Sequence, residues 1–416
     1  MRLLFVLIFL FFQTVVVFSQ DIEYARKIIS NLSSDKMHGR GYVKKGEKRA
    51  AKFIRKEFKK DDLKTFTKNY FQYFSFPINT FPKKISLTLD GEKLIAGRDF
   101  VISSASPGIE GKFEIFNIFG DTSSIEMLKE KYKNKDLSEK FVLTDSKEKE
   151  IYKSNVFNSK GIVLLNEKNV WWHVSNGHKI IDFTAIKIKK DKIPADIKSI
   201  TIKAKNKFFE KYTTQNVIAY VEGYAQPDSF IVFTAHYDHL GRMGKETFFP
   251  GANDNASGTA MIMNLARYYS KPENKPECSV VFIAFSGEET GLNGSKYFCD
   301  YPLFPLENIK FLINLDMIGT GSEGITVVNG TLFPKAFNTL VEINDNNNYL
   351  KEVKDRGESC NSDHCPFYQK GVPSVFIYTR GLKSGGYHTI YDTADELSLT
   401  AYEDLFRLFT DFVKTF

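Results

Sequence analysis

Five short apolar runs in the second half of the chain, at 217–221, 230–235, 279–285, 311–315 and 372–378, are bounded by Gly, Asp and Asn. Strands that read as continuous apolar segments are buried on both faces, and a sheet achieves that only when helices cover both of its sides. Stretches with apolar residues at helical spacing lie between and around the runs, at 256–269, 366–370 and 399–413. Two further amphipathic helices, Ile22–Leu32 and 46–58, precede them; in the second, Ala50, Ile54 and Phe58 share one face amid Lys, Arg and Glu. The expected fold is therefore α/β, a three-layer sandwich with a mixed, mostly parallel central sheet flanked by helices. In such sheets ligands bind just beyond the carboxyl ends of the strands.

Between about 83 and 205 the texture changes to short alternating or β-branched runs, such as Ile85-Ser86-Leu87-Thr88-Leu89 and Gly161-Ile162-Val163-Leu164-Leu165, separated by polar turns. This segment reads as a β-rich insertion carrying both tryptophans, Trp171 and Trp172. The expected organisation is an export signal at 1–20, a main domain from 21–82 and 206–416, and the insertion at 83–205. The first twenty residues support the first assignment: Arg2 precedes an apolar run broken only by Gln13 and Thr14, and Val17-Phe18-Ser19 approximates a cleavage site. The run is short for a membrane span, which needs about 20 apolar residues. Export to the periplasm or the medium, with no membrane association after signal cleavage, is the expectation.

Composition narrows the functional classes only a little. A chain with 42% hydrophobic and 26% charged residues is globular rather than disordered. The excess of 57 basic over 50 acidic residues, a net +7, is too mild and too spread out to mark a nucleic-acid binder. Four cysteines, Cys278, Cys299, Cys360 and Cys365, permit disulfides in an exported protein, and 360 and 365 are the closest pair; buried free thiols are equally compatible.

The polar signals sit at the ends of the apolar runs. His236 and Asp238 emerge together from the strand 230–235, and an imidazole can ligate a metal through one nitrogen while the other donates to a carboxylate. Asp254 and Asn255 lie in Gly251-Ala252-Asn253-Asp254-Asn255-Ala256-Ser257-Gly258, where plain helix capping is the simplest local role. Glu288 and Glu289 follow a wholly apolar strand, and adjacent carboxylates there are costly unless a cation neutralises them. Asp316 closes the strand 311–315, and His388 stands in Tyr387-His388-Thr389. Each signal alone is ordinary. Jointly, two histidines with several carboxylates suit Zn²⁺, and the carboxylate-rich balance points to two ions sharing a carboxylate.

These ordered motifs, together with Ser362-Asp363-His364-Cys365-Pro366-Phe367, resemble the zinc-dependent aminopeptidases with co-catalytic metals, relatives of glutamate carboxypeptidase and glutaminyl cyclase. The insertion resembles a protease-associated domain by position and texture alone. The resemblance implies two Zn²⁺ per chain and peptide substrates with a free N-terminus. It implies that Asp254 bridges the ions, His236 and Asp316 complete one site, and Glu289 and His388 the other. Glu288 would be the general base, Asp238 would fix the His236 tautomer, and Asn255 would follow a strained peptide that lets Asp254 bridge. His364, with Asp363 nearby, would donate to the developing oxyanion, and Tyr387 would line the substrate pocket. A glutaminyl cyclase of the same fold, using one Zn²⁺, is the nearest alternative, although those enzymes carry Trp where Tyr387 stands. A carboxypeptidase for acidic C-termini would need an arginine-lined pocket, and no arginine cluster near the motifs suggests one, although Arg356 and Arg380 are available. A secreted binding protein is the alternative from another class.

Overall fold

A computed structural model describes residues 22–121, 123–145, 155–381 and 386–416. The expected export signal lies outside the described residues. Among those described, no helix is long and apolar enough to cross a membrane.

The main sheet has eight strands in the order Phe71–Thr80, Lys207–Val221, Cys278–Phe285, Gln226–His236, Ile309–Leu315, Ser374–Thr379, Ile325–Val328 and Val353–Arg356. Its centre is parallel: Cys278–Phe285, Gln226–His236, Ile309–Leu315 and Ser374–Thr379 run side by side in one direction. Antiparallel pairings flank this core, so the sheet is mixed. Successive residues of the central strands serve opposite faces. Ile231, Phe233 and Ala235 join the core beneath helices Ile22–Leu32, Gly46–Lys60, Gly258–Tyr269 and Tyr402–Val413, while Phe230 and Val232 join a second core with Phe298 and Phe367 from helices Asn293–Asp300 and His364–Gln369. Burial on both faces explains why these strands carry no polar alternation.

The first strand was not evident from the sequence. Phe71–Thr80 contains Pro77, which cannot donate to a ladder, and the register with Lys207–Val221 slips between Phe76 and Ile78. An edge position tolerates both. The helix expected over 256–269 begins at Gly258, because 252–257 form a wider turn.

A second eight-stranded sheet is built wholly from strands between Ser86 and Ala204. It is less purely β than its texture implied, since Ile109–Asn117, Lys140–Thr144, Gly161–Asn166 and Thr184–Lys189 pair in parallel and the helix Ile125–Tyr132 packs on one face. The core on its other face is continuous with Leu240, Met243 and Phe249, which follow His236 in the chain, so this sheet is docked beside the strand ends of the first. Cys360 and Cys365 form a disulfide, and Cys278 and Cys299 are buried free thiols.

Glu47, in the first turn of Gly46–Lys60, is fully buried; Tyr212 Oη donates to Oε1 at 2.8 Å and Oε2 has no partner. Burial pushes its carboxyl up from the usual 4.5 to about 7. The fold therefore holds this proton more tightly than the open chain does, and the associated stability is complete below about pH 4.5 and is lost as pH rises through about 7. Glu47→Gln, which stays neutral, is expected to raise the thermal midpoint at pH 8, by up to about 3 kcal/mol of stability at 1.36 kcal/mol per pKa unit, and to change it little at pH 4.5. Paired melts at the two pH values check this, and an equal effect at both would refute it.

Candidate metal centre

Strand register brings the polar signals together. His236 ends its strand opposite Phe285, and Leu315 lies opposite Ile377, so His236, the Ser286–Glu289 turn and Asp316 stand at the carboxyl ends of three neighbouring parallel strands. Gly287, at φ +79°, turns the chain there, in a region L side chains rarely adopt.

His236 Nε2 lies 3.3 Å from Asp254 Oδ1 and 3.2 Å from Asp316 Oδ1, and His388 Nε2 lies 3.2 Å from both Asp254 Oδ2 and Glu289 Oε2. Asp254 thus presents one oxygen to each group. An ion bound tetrahedrally with bonds of about 2.0–2.1 Å holds its ligand atoms about 3.3 Å apart, so these separations fit two zinc-sized sites. Donor atoms within 4.8 Å of one another also form the sets His236, Glu288, Asp316 and His239, Asp254, Glu289.

Main-chain anchors hold these side chains in place. Asp392, on the C-terminal loop, accepts from the amides of Asn253 at 2.8 Å and Asp254 at 3.0 Å. Asn255 donates to the Leu315 carbonyl at 2.9 Å and accepts from the Gly258 amide at 2.9 Å, fastening the turn to the strand end that carries Asp316; the Asp254–Asn255 peptide is cis. Ser362 Oγ donates to Asp316 Oδ2 at 2.8 Å, leaving Oδ1 for the histidine side.

Two expected roles are corrected. Asp238 does not orient His236 through its carboxylate: His236 Nδ1 lies 3.1 Å from the Asp238 main-chain carbonyl and 3.9 Å from Oδ1. The carboxylate instead accepts from Tyr42 Oη and from the Glu288 amide, each at 3.2 Å, so it fixes the Glu288 turn. Nor does His364 reach the pocket. It is fully buried, its Nε2 is 2.8 Å from the Ser359 carbonyl, and burial pushes it down to about 4, so an oxyanion-donor role has no geometric basis. Asp363 is likewise fully buried, with Ser295 Oγ donating to Oδ1 at 2.5 Å. Tyr387 does line the pocket, stacked on His388 with ring centroids 3.9 Å apart.

The adjacent glutamates differ in environment. Glu289 engages His239 Nδ1 at 2.7 Å through Oε1 and His388 through Oε2, and its side chain is 4% exposed. Glu288 is 14% exposed, with its Oε2 4.0 Å from His236 Nε2. Burial opposes charge on both, but His388 and His239 hold Glu289 down at about 2, whereas Asp316 and Glu289 keep Glu288 well above the usual carboxylate range.

Sequence reasoning missed several members. His239 follows the recognised His236-Tyr237-Asp238 by one residue, and Asp392 lies in the same loop as His388, so adjacency was the available signal. His173, from the second sheet's side of the molecule, places Nδ1 3.0 Å from His388 Nδ1. Arg40 is fully buried behind the Asp254 turn. Nothing in their local patterns marks either one.

The donor set fits metal ions on electrostatic grounds. Asp238, Asp254, Glu289, Asp316, Asp363 and Asp392 are all buried, and Glu289 Oε1 and both His239 nitrogens lack well-formed hydrogen bonds. Buried carboxyls are costly in their charged form, and cations held among them would offset that desolvation.

Residues 216–413 match the model of Peptidase family M28. Aminopeptidase YwaD of Bacillus subtilis (strain 168) is 30% identical over 266 residues, 58% of this chain and 53% of that protein. A probable zinc metalloprotease of Pyrenophora tritici-repentis (strain Pt-1C-BFP) is 39% identical over 116 residues, 27% of this chain and 24% of that one. The chain thus spans about half the length, or less, of these curated relatives. Among solved structures, BSAP, a zinc aminopeptidase from Bacillus subtilis, matches with a TM-score of 0.73 at 22% identity over 95% of each chain. The aminopeptidase from Aneurinibacillus sp. strain AM-1 matches at 0.67 and 22% identity, covering 95% of this chain and 93% of that one. At such identities the likeness is one of fold, over nearly the whole chain.

Proposed function

We propose, from the premise that this chain belongs to peptidase family M28 through residues 216–413, that it is an exported zinc aminopeptidase that removes N-terminal residues from peptides. The observation that carries this reading is the shared Asp254: its two oxygens face two histidine-carboxylate groups at 3.2–3.3 Å, at the strand ends where α/β folds bind ligands. In this reading His236, Asp254 and Asp316 hold one ion, and Asp254, Glu289 and His388 hold the other. His239 is fully buried and already 2.7 Å from Glu289 Oε1, so it orients that carboxylate from behind while His388 faces the pocket. When bound, the ions supply Lewis acidity, lowering the pKa of water to about 7 and polarising the scissile carbonyl.

The chain's own groups do the rest. Glu288 takes the proton of the attacking water on its carboxylate and returns it to the departing amine. Tyr387 borders the reacting carbonyl and takes the substrate contact that His364 cannot make. A free α-amine docking among the carboxylates around the second ion favours exopeptidase action. The Cys360–Cys365 disulfide supports export, since such bonds persist in oxidising compartments.

The test is a panel of aminoacyl chromogenic substrates and N-terminal Gln peptides, run with and without a chelator, alongside metal analysis. Two zinc ions per chain, with hydrolysis lost to the chelator and restored by Zn²⁺, is the expected outcome. Hydrolysis that survives metal removal would overturn the reading, and cyclisation of Gln peptides with a single ion would replace it by the cyclase.

A further inference from the structure

The two histidines assigned to metal are supported from different parts of the molecule. His236 is served by its own strand end, with the Asp238 carbonyl 3.1 Å from Nδ1. His388 Nδ1 lies 3.0 Å from His173 Nδ1, with the ring planes inclined at 67°. His173 comes from the segment between Gly161–Asn166 and Thr184–Lys189 of the second sheet. That segment is well anchored: Trp172 is buried, its Nε1 donates to the Ile102 carbonyl at 2.8 Å, and its ring stacks on Phe249 at 4.9 Å. The Trp172 amide also donates to the His388 carbonyl at 3.1 Å. The inserted unit therefore grips His388 at two points, main chain and ring.

We propose that His173 is a positioning residue for the second ion: its Nδ1 accepts the proton of His388 Nδ1 and thereby fixes Nε2 as the ligating nitrogen. The assignment rests on the zinc reading above and extends it to the insertion. A neutral imidazole that gives its Nε2 lone pair to a metal carries its proton on Nδ1, so the contact has a defined direction, and His173 keeps its own proton on Nε2. His388 is the group that needs such help. It sits at φ +54° on a loop rather than on a strand, and Nε2 must stay within reach of both Asp254 and Glu289. The unit that carries the second sheet thus holds the lone-pair direction of one ligand.

The test compares the full chain with His173→Phe, which keeps a ring but removes the acceptor, and His173→Asn, which keeps an acceptor at the δ position. Each protein is equilibrated with graded chelator and its zinc content measured, and the Co²⁺-substituted spectrum is recorded. His173→Phe is expected to release one of the two ions about 10- to 100-fold more readily, the range for loss of a partner behind a metal ligand, with the other ion unmoved and the Co²⁺ spectrum altered. His173→Asn is expected to restore retention. Unchanged retention in His173→Phe overturns the proposal, and so does equal loss in both variants, which would mark the contact as packing alone. An unsubstituted chain that binds no zinc would refute the metal reading itself, an outcome distinct from either.

Discussion

Under the proposed aminopeptidase reading, Glu288→Gln is expected to lower peptide hydrolysis by about 10²- to 10⁴-fold, the range for loss of a general base, while the protein keeps its zinc content and its melting temperature. Geometry separates this residue from its neighbour. Glu289 lies with Oε1 2.7 Å from His239 Nδ1 and Oε2 3.2 Å from His388 Nε2, and is nearly inaccessible. Glu288 lines the pocket and, among the described residues, makes no closer side-chain ion pair than 4.0 Å, yet its position is fixed from the main chain, because the Glu288 amide donates to Asp238, which Tyr42 holds in turn. A carboxylate so placed is free to move a proton without being free to wander. Glutamine preserves its size and backbone anchor but cannot accept that proton. Turnover near that of the unsubstituted chain, measured as kcat with zinc content determined on the same sample, would sink the assignment; loss of metal together with activity would make Glu288 a ligand instead.

How much of this was legible in the sequence depends on the range of the interactions involved. The central strands were readable because burial on both faces forces unbroken apolar runs; His236, Glu289 and Asp316 drew notice because they follow such runs, whereas the roles expected of Asp254 and His388 came from the resemblance of their motifs, since one lies in the 252–257 turn and the other in a loop well past the strand Ser374–Thr379. The helices Asn293–Asp300 and Pro334–Asn347 and the short strands Ile325–Val328 and Val353–Arg356 were not singled out. Val353–Arg356 has three of its four residues exposed, too little for a periodic signal. The site residues that escaped are of two kinds. His239 and Asp392 were adjacent to recognised motifs but lacked a role until distances assigned one. His173 and Arg40 reach the site from elsewhere in the chain, 215 residues from His388 in the one case and 214 from Asp254 in the other. No local pattern encodes such contacts, and the error over His364 has the same origin: a motif places a residue in the chain but not the direction of its ring.

Arg40 carries the second large expectation. Arg40→Met is expected to cost on the order of 3 to 5 kcal/mol of stability, the range for disrupting a buried, hydrogen-bonded charge, and to lower zinc content with it. All five of its N–H groups are used: Nε donates to Tyr237 O at 2.8 Å, Nη1 to Leu32 O at 3.0 Å and Pro250 O at 2.6 Å, and Nη2 to Gly251 O at 2.6 Å and Asp254 O at 3.2 Å. Burial lowers its pKa to about 10, with Asp254 and Asp392 opposing that fall, so the guanidinium stays charged at neutral pH and offsets part of the carboxylate excess behind the metal centre. The surrounding backbone is shaped to admit it. A Cβ at Gly251 would lie 2.6 Å from Arg40 Nη2, and one at Gly39 would lie 2.5 Å from the Gly241 carbonyl. Lysine retains the charge but offers one nitrogen with three donors and no planar fork, so Arg40→Lys should recover only part of the loss. Denaturant melts with zinc analysis distinguish the possible roles. If Arg40→Met melts normally and keeps its zinc, the five carbonyls find other partners and the turn bearing Asp254 stands without the arginine. If it is destabilised but regains full zinc on addition of metal, Arg40 supports the fold without shaping the site; loss of both properties together is the result expected from one cation that ties Leu32 and Tyr237 to the turn from Pro250 to Asp254.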